Sequence, residues 1–269
     1  MAEINHHRRG SGEPLVLLHG VGHRLGAWSP VLPELERSFD VIACDSPGFG
    51  GSAPLPAGVP RTIPHYVDAF AEFIAEQGIE QPHVAGNSMG GAIALELARR
   101  GIARSATAFS PAGFWGPIGV RWCQGSLAAL DLIPQTVRPG VRALLRRPGG
   151  RKLLLAELVK RPADLPAAEA LADLDGMWSA ASLGECLAGF AEYAFNAQPP
   201  MPEHVPVTVA WGDTDRLLPP VQAKRAQRRL PRAEHLLLDA GHLPYSDDPA
   251  AVIATIRATA ARAAAPISR

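Results

Sequence analysis

Short apolar runs alternate along the chain with segments in which apolar residues recur at helical spacing. Short apolar runs bounded by turn residues are typical of strands buried on both faces, and recurrence every three to four residues is typical of helices. The predicted strands are residues 15–18, 39–44, 82–85, 106–109, 205–211 and 235–238. The predicted helices are residues 28–37, 65–77, 89–100 and 220–230 and a final alanine-rich segment. This alternation predicts an α/β fold with a doubly wound, mostly parallel sheet.

Two of the predicted helices begin with capping signals. Ser29 followed by Pro30 marks the start of the first helix, and Asp248 followed by Pro249 marks the start of the last. A serine or aspartate side chain accepts a hydrogen bond from a free N–H of the first turn, and proline has no N–H that would need a partner there.

The interval between the fourth and fifth predicted strands breaks the alternation. Residues 111–203 have the pattern of several helices separated by prolines and glycines, without a core strand. We therefore predict a helical cap over residues 111–203, inserted into an α/β core formed by residues 1–110 and 204–269. Its large apolar residues either pack against the core or face a pocket, and packing is favoured for each. They are Phe114, Trp115, Trp122, Met177, Trp178, Phe190, Tyr193 and Phe195.

Composition narrows the class of partner. The 26 Lys and Arg residues balance the 26 Asp and Glu residues, so charge favours neither nucleic acid nor an anionic membrane surface, and a small molecule is expected. The three cysteines are far apart, as in a cytoplasmic protein with free thiols. We see no signal peptide, and no apolar run approaches the ~18 residues of a membrane span. No cofactor and no metal are expected, and the oligomeric state, a homo-oligomer included, is left open.

The turn after the third predicted strand contains the strongest chemical signal. Residues 86–90, Gly-Asn-Ser-Met-Gly, fit the G-x-S-x-G nucleophile elbow in its strand-turn-helix context. A serine at the apex of so sharp a turn has a strained backbone and needs small neighbours, which Gly86 and Gly90 provide. The N-terminus of the following helix adds a positive partial charge and a free N–H at Met89. Ser88 is therefore the candidate nucleophile.

A serine hydroxyl needs a base, and the base needs an acid to orient it. In such sheets the site lies at the carboxyl ends of the strands. The loops that follow the last two predicted strands contain both a histidine and aspartates, so they supply a candidate base and candidate acids. His242 is the candidate base, and Asp213, Asp215 and, less favoured, Asp239 are candidate acids. His19 and His23 also lie at this end of the sheet. The remaining histidines are interpreted as surface or structural: His6, His7, His65, His83, His204 and His235.

In combination these motifs resemble the α/β-hydrolase fold family in its capped form, from residue 15 to the last helix. The order of serine, acid and histidine is that of the family. The matching motifs are His19-Gly20, Asp45-x-Pro47-Gly48-x-Gly50-x-Ser52, Gly86-x-Ser88-x-Gly90, Trp211-Gly212-x-x-Asp215 and Gly241-His242. Residues 110–204 resemble the family's cap in position and not in motif.

The resemblance implies roles for particular residues. In the family's W-G-x-x-D pattern the acid is the last residue, which favours Asp215 over Asp213. The family's second oxyanion donor, the backbone N–H after the His-Gly pair, corresponds to Val21 and would act beside the N–H of Met89. Serine at the elbow argues against the family's dehalogenases and epoxide hydrolases, which have aspartate there.

The resulting hypothesis is a carboxylesterase-like serine hydrolase of small, largely hydrophobic esters. A second hypothesis is a hydrolase that cleaves a C–C bond of ring-fission diketones, because Asn87 precedes the serine as it does in that group. Against it, the loop after His19 lacks that group's longer glycine run, and Leu243 replaces its usual tryptophan. A third is a ligand-binding protein or receptor on the same fold.

Overall fold

Seven strands form one sheet at the centre of the fold. They are β1 (His6–Gly10), β2 (Glu13–Leu18), β3 (Phe39–Cys44), β4 (His83–Asn87), β5 (Ser105–Phe109), β6 (Val207–Gly212) and β7 (Glu234–Leu238). Their order across the sheet is β1-β3-β2-β4-β5-β6-β7, and β1 alone is antiparallel to its neighbour. This computed structural model describes residues 3–196 and 198–264.

Eleven α-helices are described. They are α1 (Leu32–Leu35), α2 (Ile63–Glu76), α3 (Met89–Arg99), α4 (Pro117–Asp131), α5 (Arg138–Leu145), α6 (Pro148–Leu155), α7 (Ala167–Ser179), α8 (Leu183–Gly189), α9 (Val221–Arg229), α10 (Pro244–Asp247) and α11 (Pro249–Ala264). The alternation of strands and helices on a mostly parallel sheet confirms the predicted fold class. None of the helices in the described part of the chain has the length and apolar character needed to cross a bilayer.

The register of the sheet brings the candidate loops to one edge. Leu18 lies beside both Cys44 and Gly86, and Gly212 lies beside Leu238. The parallel strands β2, β4, β6 and β7 therefore end at a common edge, and the loops that follow them meet there.

Two local predictions differ from the structure. Strand β1 lies ahead of residue 15, where the sequence pattern predicted no strand. Its residues are half-buried or exposed at the sheet edge, so they carry no apolar signature. The predicted helix over residues 28–37 with Ser29 as its N-cap is wrong. A 3₁₀ turn over Leu25–Trp28 precedes the short helix α1, and the Ser29 hydroxyl donates to the Gly26 carbonyl. Proline at position 33 has no N–H for a helix that would begin at Ser29.

The helices α4–α8 lie between β5 and β6, in the predicted cap. Part of this segment has a small apolar cluster of its own, formed by Leu145, Leu165, Ala170 and Leu174. Other residues of the segment, such as Leu127 and Met177, belong to the main core. The division into core and cap remains a prediction, and residues 1, 2, 197 and 265–269 of it lie outside the described residues.

Candidate active site

Ser88 lies at the apex of a sharp turn between β4 and α3. Its backbone has φ +55° and ψ −114°, a region that residues with a side chain rarely adopt. A Cβ on Gly86 would lie 2.1 Å from the Gly90 carbonyl oxygen, and one on Gly90 would lie 2.1 Å from that of Leu18. Both positions therefore require glycine for the turn to close. The Ser88 N–H donates to the Phe109 carbonyl at 2.9 Å, which fixes the turn to the neighbouring strand.

His242 and Asp215 form a buried pair beside this turn. Nδ1 of His242 is 2.8 Å from Oδ2 of Asp215, and both residues are buried. The other carboxylate oxygen of Asp215 accepts the N–H of Leu218 at 2.8 Å. The carboxylate thus holds the Nδ1 edge of the imidazole and leaves Nε2 for another partner.

The other two candidate acids lie elsewhere. Asp213 is exposed and its carboxylate pairs with the ammonium group of Lys160. Asp239 is also exposed and pairs with Lys160 and Arg161, which lower the pKa of its carboxyl group. Within the described residues neither aspartate is hydrogen-bonded to His242.

The loop after β2 approaches the Ser88 turn closely. A Cβ on Gly20 would lie 3.2 Å from that of Ser88. The N–H groups of Val21 and Met89 donate to no protein acceptor among the described residues, so both are available to a ligand.

His19 supports this loop as a neutral imidazole. Its Nδ1–H donates to the Gly20 carbonyl at 2.7 Å, and its Nε2 accepts the N–H of Ser46 at 2.9 Å. Burial lowers the pKa of His19 to about 4, which keeps this pattern of one donor and one acceptor.

Asn87 connects the Ser88 turn to the His242 loop. Its Nδ2 donates to the His242 carbonyl at 2.9 Å and to the Phe109 carbonyl at 3.2 Å, and its Oδ1 lies 3.4 Å from the Tyr245 hydroxyl. The amide nitrogen is thus engaged by main-chain carbonyls. The sequence pattern did not reveal this role.

A small cavity of about 20 Å³ lies at the centre of these groups, with room for about one water molecule. Within the described residues, no hydrogen bond joins Ser88 to His242 across it; such bonds are often long in ligand-free sites. Of the large apolar residues named for the cap, Met177 lines the cavity. The lining residues are Gly20, Val21, His23, Asn87, Ser88, Leu127, Leu158, Met177, Leu217, His242 and Leu243.

His23 is a second imidazole in the cavity wall. It is 6% exposed, and its Nδ1 lies 3.8 Å from Oδ1 of Asp173 on α7, beyond hydrogen-bond distance. Burial lowers the pKa of His23, and the Asp173 carboxylate opposes this shift. Sequence reasoning could not find Asp173, because it lies 150 residues from His23 with no motif around it.

A larger open groove of about 870 Å³ lies away from these residues, near the start of β6 and β7. Among the residues that the structure describes, no serine, cysteine or histidine lines this groove, so they do not supply a nucleophile and a base there. Among residues 3–196 and 198–264 there is also no group of three or more metal-ligating side chains placed to hold an ion.

The fold and the elbow define a doubly wound α/β protein with a serine at a strained strand-to-helix turn. A family model described as the alpha/beta hydrolase family matches residues 15–255, which is most of the sequence. The chain therefore belongs to the alpha/beta hydrolase family, which confirms the resemblance drawn from its motifs.

Individual relatives differ in their activities. The chain is 30% identical over 247 residues to the dihydrolipoyllysine-residue acetyltransferase component of an acetoin cleaving system from Cupriavidus necator; the match covers 89% of the chain and 62% of that protein. It is 43% identical over 100 residues to a 2-hydroxymuconate semialdehyde hydrolase from Pseudomonas sp. strain CF600, covering 36% of the chain and 35% of the relative. The structure of a thermophilic esterase from Thermogutta terrifontis superposes with a TM-score of 0.76 at 22% identity, over 97% of this chain and 94% of the esterase. At that identity the superposition shows the fold alone.

Proposed function

We propose that this protein is a serine hydrolase that cleaves a small carboxylic ester through Ser88, His242 and Asp215. The observation that carries the proposal is the buried 2.8 Å hydrogen bond between His242 and Asp215, beside a serine at a strained turn. A nucleophile, a base and an acid that orients the base are the groups that acyl transfer needs.

In this mechanism Ser88 Oγ attacks the ester carbonyl and His242 Nε2 takes its proton. His242 then returns the proton to the leaving alcohol, and a water that it activates releases the acid from the acyl-enzyme. Asp215 holds the imidazole by Nδ1 and stabilises its charged form. The free N–H groups of Val21 and Met89 would bind the oxyanion and contribute about 3 kcal/mol each to the transition state.

The apolar walls of the cavity support a substrate with a hydrophobic part. Its leucines and Met177 surround the Ser88 hydroxyl, and no arginine or lysine lines the cavity within the described residues. The available volume of about 20 Å³ is smaller than an ester, so side chains that line the cavity, such as Leu127 and Met177, would have to move when a substrate binds.

A fluorophosphonate probe tests the nucleophile directly. We expect covalent labelling of the native protein at Ser88 and none of Ser88→Ala. Absence of labelling of the native protein would refute the hydrolase proposal and favour a ligand-binding protein.

A second candidate function is hydrolysis of a C–C bond in a ring-fission diketone. Asn87 before the serine and the 43% identity to a 2-hydroxymuconate semialdehyde hydrolase over 100 residues favour it. A hydrolysis panel of aryl esters, thioesters, lactones and one such diketone distinguishes the two, with Ser88→Ala as the blank. Turnover of the aryl esters supports the first proposal, and turnover confined to the diketone supports the second.

A further inference from the structure

Helix α4 carries two large apolar side chains on its outer face. Ile118 is 85% exposed, and Trp122, one turn further along the helix, is 54% exposed. The indole N–H of Trp122 donates to the Arg216 carbonyl at 3.0 Å, and much of the side chain remains in contact with solvent. Trp122 is therefore not packed in the core, which differs from the expectation for the large apolar residues of the cap.

Helix α9 begins beside this face of α4. A Cβ on Gly119 would lie 3.6 Å from Nε2 of Gln222, so the first turns of the two helices are in contact. Val221 precedes Gln222 and is 54% exposed, and Ile118 precedes Gly119. The exposed side chains of the two helices thus lie on one surface, and we call Ile118, Trp122 and Val221 the apolar patch.

The charges around the apolar patch have one sign, although those of the whole chain are balanced. Residues 114–130 and 216–233 contain neither aspartate nor glutamate. Within the described residues, the exposed Arg121, Arg216 and Lys224 form no ion pair with a carboxylate. The basic residues of the two segments are Arg121, Arg216, Lys224, Arg225, Arg228, Arg229 and Arg232.

Three of these basic residues border the apolar patch. Arg121 follows Ile118 by three positions and Lys224 follows Val221 by three, so each lies on the same helix face as its apolar neighbour. Arg216 reaches the patch through the hydrogen bond from the indole N–H described above. We call Arg121, Arg216 and Lys224 the basic rim.

Exposed apolar residues bordered by lysine and arginine are typical of a surface that binds an anionic lipid bilayer. The apolar side chains enter the boundary between headgroups and acyl chains, where tryptophan is favoured, and the basic side chains bind the headgroup phosphates. A nucleic acid would explain the basic rim, but it would leave Ile118 and Val221 without a partner.

We propose that the apolar patch and the basic rim bind the surface of a bilayer that contains anionic phospholipids. This inference goes beyond the proposed hydrolase function and does not depend on it. The bound bilayer would lie close to the cavity, because Leu217, which follows Arg216, lines the cavity wall.

Vesicle flotation tests this assignment with phosphatidylcholine alone and with phosphatidylcholine mixed with phosphatidylglycerol. We expect the native protein to bind the mixed vesicles much more tightly, and added NaCl to weaken this binding because salt screens the attraction. The double variant Arg121→Gln and Lys224→Gln should lower the partition coefficient about 25-fold, roughly fivefold for each charge removed. Ile118→Ser should lower it about tenfold, because a large apolar side chain no longer enters the interface.

The control variants replace exposed residues of the same types at the two edges of the sheet. Arg9→Gln on β1 and Leu237→Ser on β7 should leave vesicle binding unchanged. Tryptophan fluorescence provides a second measurement: mixed vesicles should shift the emission of the native protein to shorter wavelength, and Trp122→Phe should lose most of this shift. The other tryptophans are buried or half-buried, so they report the bilayer less.

The outcomes that overturn the proposal are specific. If the native protein does not bind the mixed vesicles, or binds phosphatidylcholine alone equally well, this surface does not recognise anionic lipid. If the control variants weaken binding as much as Ile118→Ser does, the apolar patch is not the contact. If duplex DNA displaces the vesicles and Ile118→Ser binds both as the native protein does, the basic rim serves a nucleic acid instead. Labelling of Ser88 is measured separately, so the hydrolase proposal and this one can fail independently.

Discussion

The three aspartates in the loops after β6 and β7 differ in their surroundings. Asp215 is buried and holds His242 and the Leu218 N–H, whereas Asp213 and Asp239 are exposed and pair with Lys160. An exposed ion pair contributes little, because water and salt screen it. A buried carboxylate that orients an imidazole affects both stability and reactivity.

We expect Asp215→Asn to lower ester turnover by about 10³–10⁴-fold, because an amide at this position no longer fixes the imidazole tautomer. Asp213→Asn, the matched control, should change it by less than about twofold. The rate of fluorophosphonate labelling of Ser88 measures the same effect without a substrate. The reverse order of the two variants would assign the acid to Asp213.

His19 makes stability depend on pH. Its pKa is about 4 in the folded protein and about 6.5 when exposed, so the unfolded chain binds the proton first as the pH falls. The neutral His19 ring contributes fully to the free energy of unfolding above pH 6.5, and this contribution is lost as the pH falls towards 4. Urea unfolding at pH 7.5 and pH 5 should show a loss of roughly 2 kcal/mol from this group.

The variant His19→Gln removes the contribution of His19 to the pH dependence of the free energy of unfolding. Glutamine can donate to the Gly20 carbonyl and accept from Ser46, and it does not titrate. We expect the variant to have a shallower pH dependence than the native protein, although His23 and His83, whose pKa values burial also lowers, still contribute. Identical slopes would show that His19 does not titrate on unfolding.

At the scale of elements, the turn between β4 and α3 depends on close backbone contact. Gly86 and Gly90 let the start of α3 pass over the ends of β2 and β4, and Asn87 joins the turn to the loop after β7. The elbow is therefore a junction of three elements. Its glycines act through packing, because a Cβ at either position would meet a main-chain carbonyl oxygen.

We expect Gly90→Ala to reduce the free energy of unfolding by more than about 2 kcal/mol, because its Cβ would meet the Leu18 carbonyl oxygen at 2.1 Å. The matched control is Gly125→Ala in α4, where a Cβ meets nothing within 4 Å. That variant should be stabilised by about 0.5–1 kcal/mol, because alanine is the better helix former. Urea unfolding measures the free energy of unfolding of both variants. Equal changes in the two variants would contradict a clash at position 90.

At the scale of the whole molecule, the segment inserted between β5 and β6 is attached to the His242 loop. The Asp247 carboxylate accepts the N–H groups of Lys160, Arg161 and Gly241 at 2.8–2.9 Å. The N–H of Leu243 donates to the Leu158 carbonyl at 3.0 Å. The insert thus contributes Leu158 to the cavity and is hydrogen-bonded to the loop of the proposed base.

We expect Asp247→Ala to lower the free energy of unfolding by about 2 kcal/mol or more, because three main-chain donors lose a charged acceptor. Lys160→Ala removes only exposed ion pairs, which water and salt screen, and should change the free energy of unfolding much less than Asp247→Ala does. Urea unfolding compares the two variants. If they are equally stable, the Asp247 carboxylate does not hold the insert to the loop.

The sequence predicted six of the seven strands and the parallel architecture, because these strands contain apolar runs, which in β7 include the exposed Leu237. It missed β1, whose half-exposed residues have no such pattern, and it extended one helix across Pro33. The candidates Ser88 and His242 were found because the elbow motif and the ends of strands mark them locally. Among the candidate acids, Asp215 was favoured over Asp213 only through the family's W-G-x-x-D motif.

What the sequence determined by itself is therefore local: the turn at Ser88, the alternation of strands and helices, and the edge of the sheet where the loops meet. Only the tertiary structure decided that Asp215 faces His242, that Asn87 is engaged by main-chain carbonyls, and that His23 lines a cavity of about 20 Å³ with Asp173 3.8 Å from its Nδ1. The physical reason is the range of these contacts. Backbone periodicity repeats over a few residues, whereas packing joins Asn87 to residues 155 and 158 positions away, and no pattern along the chain records such contacts.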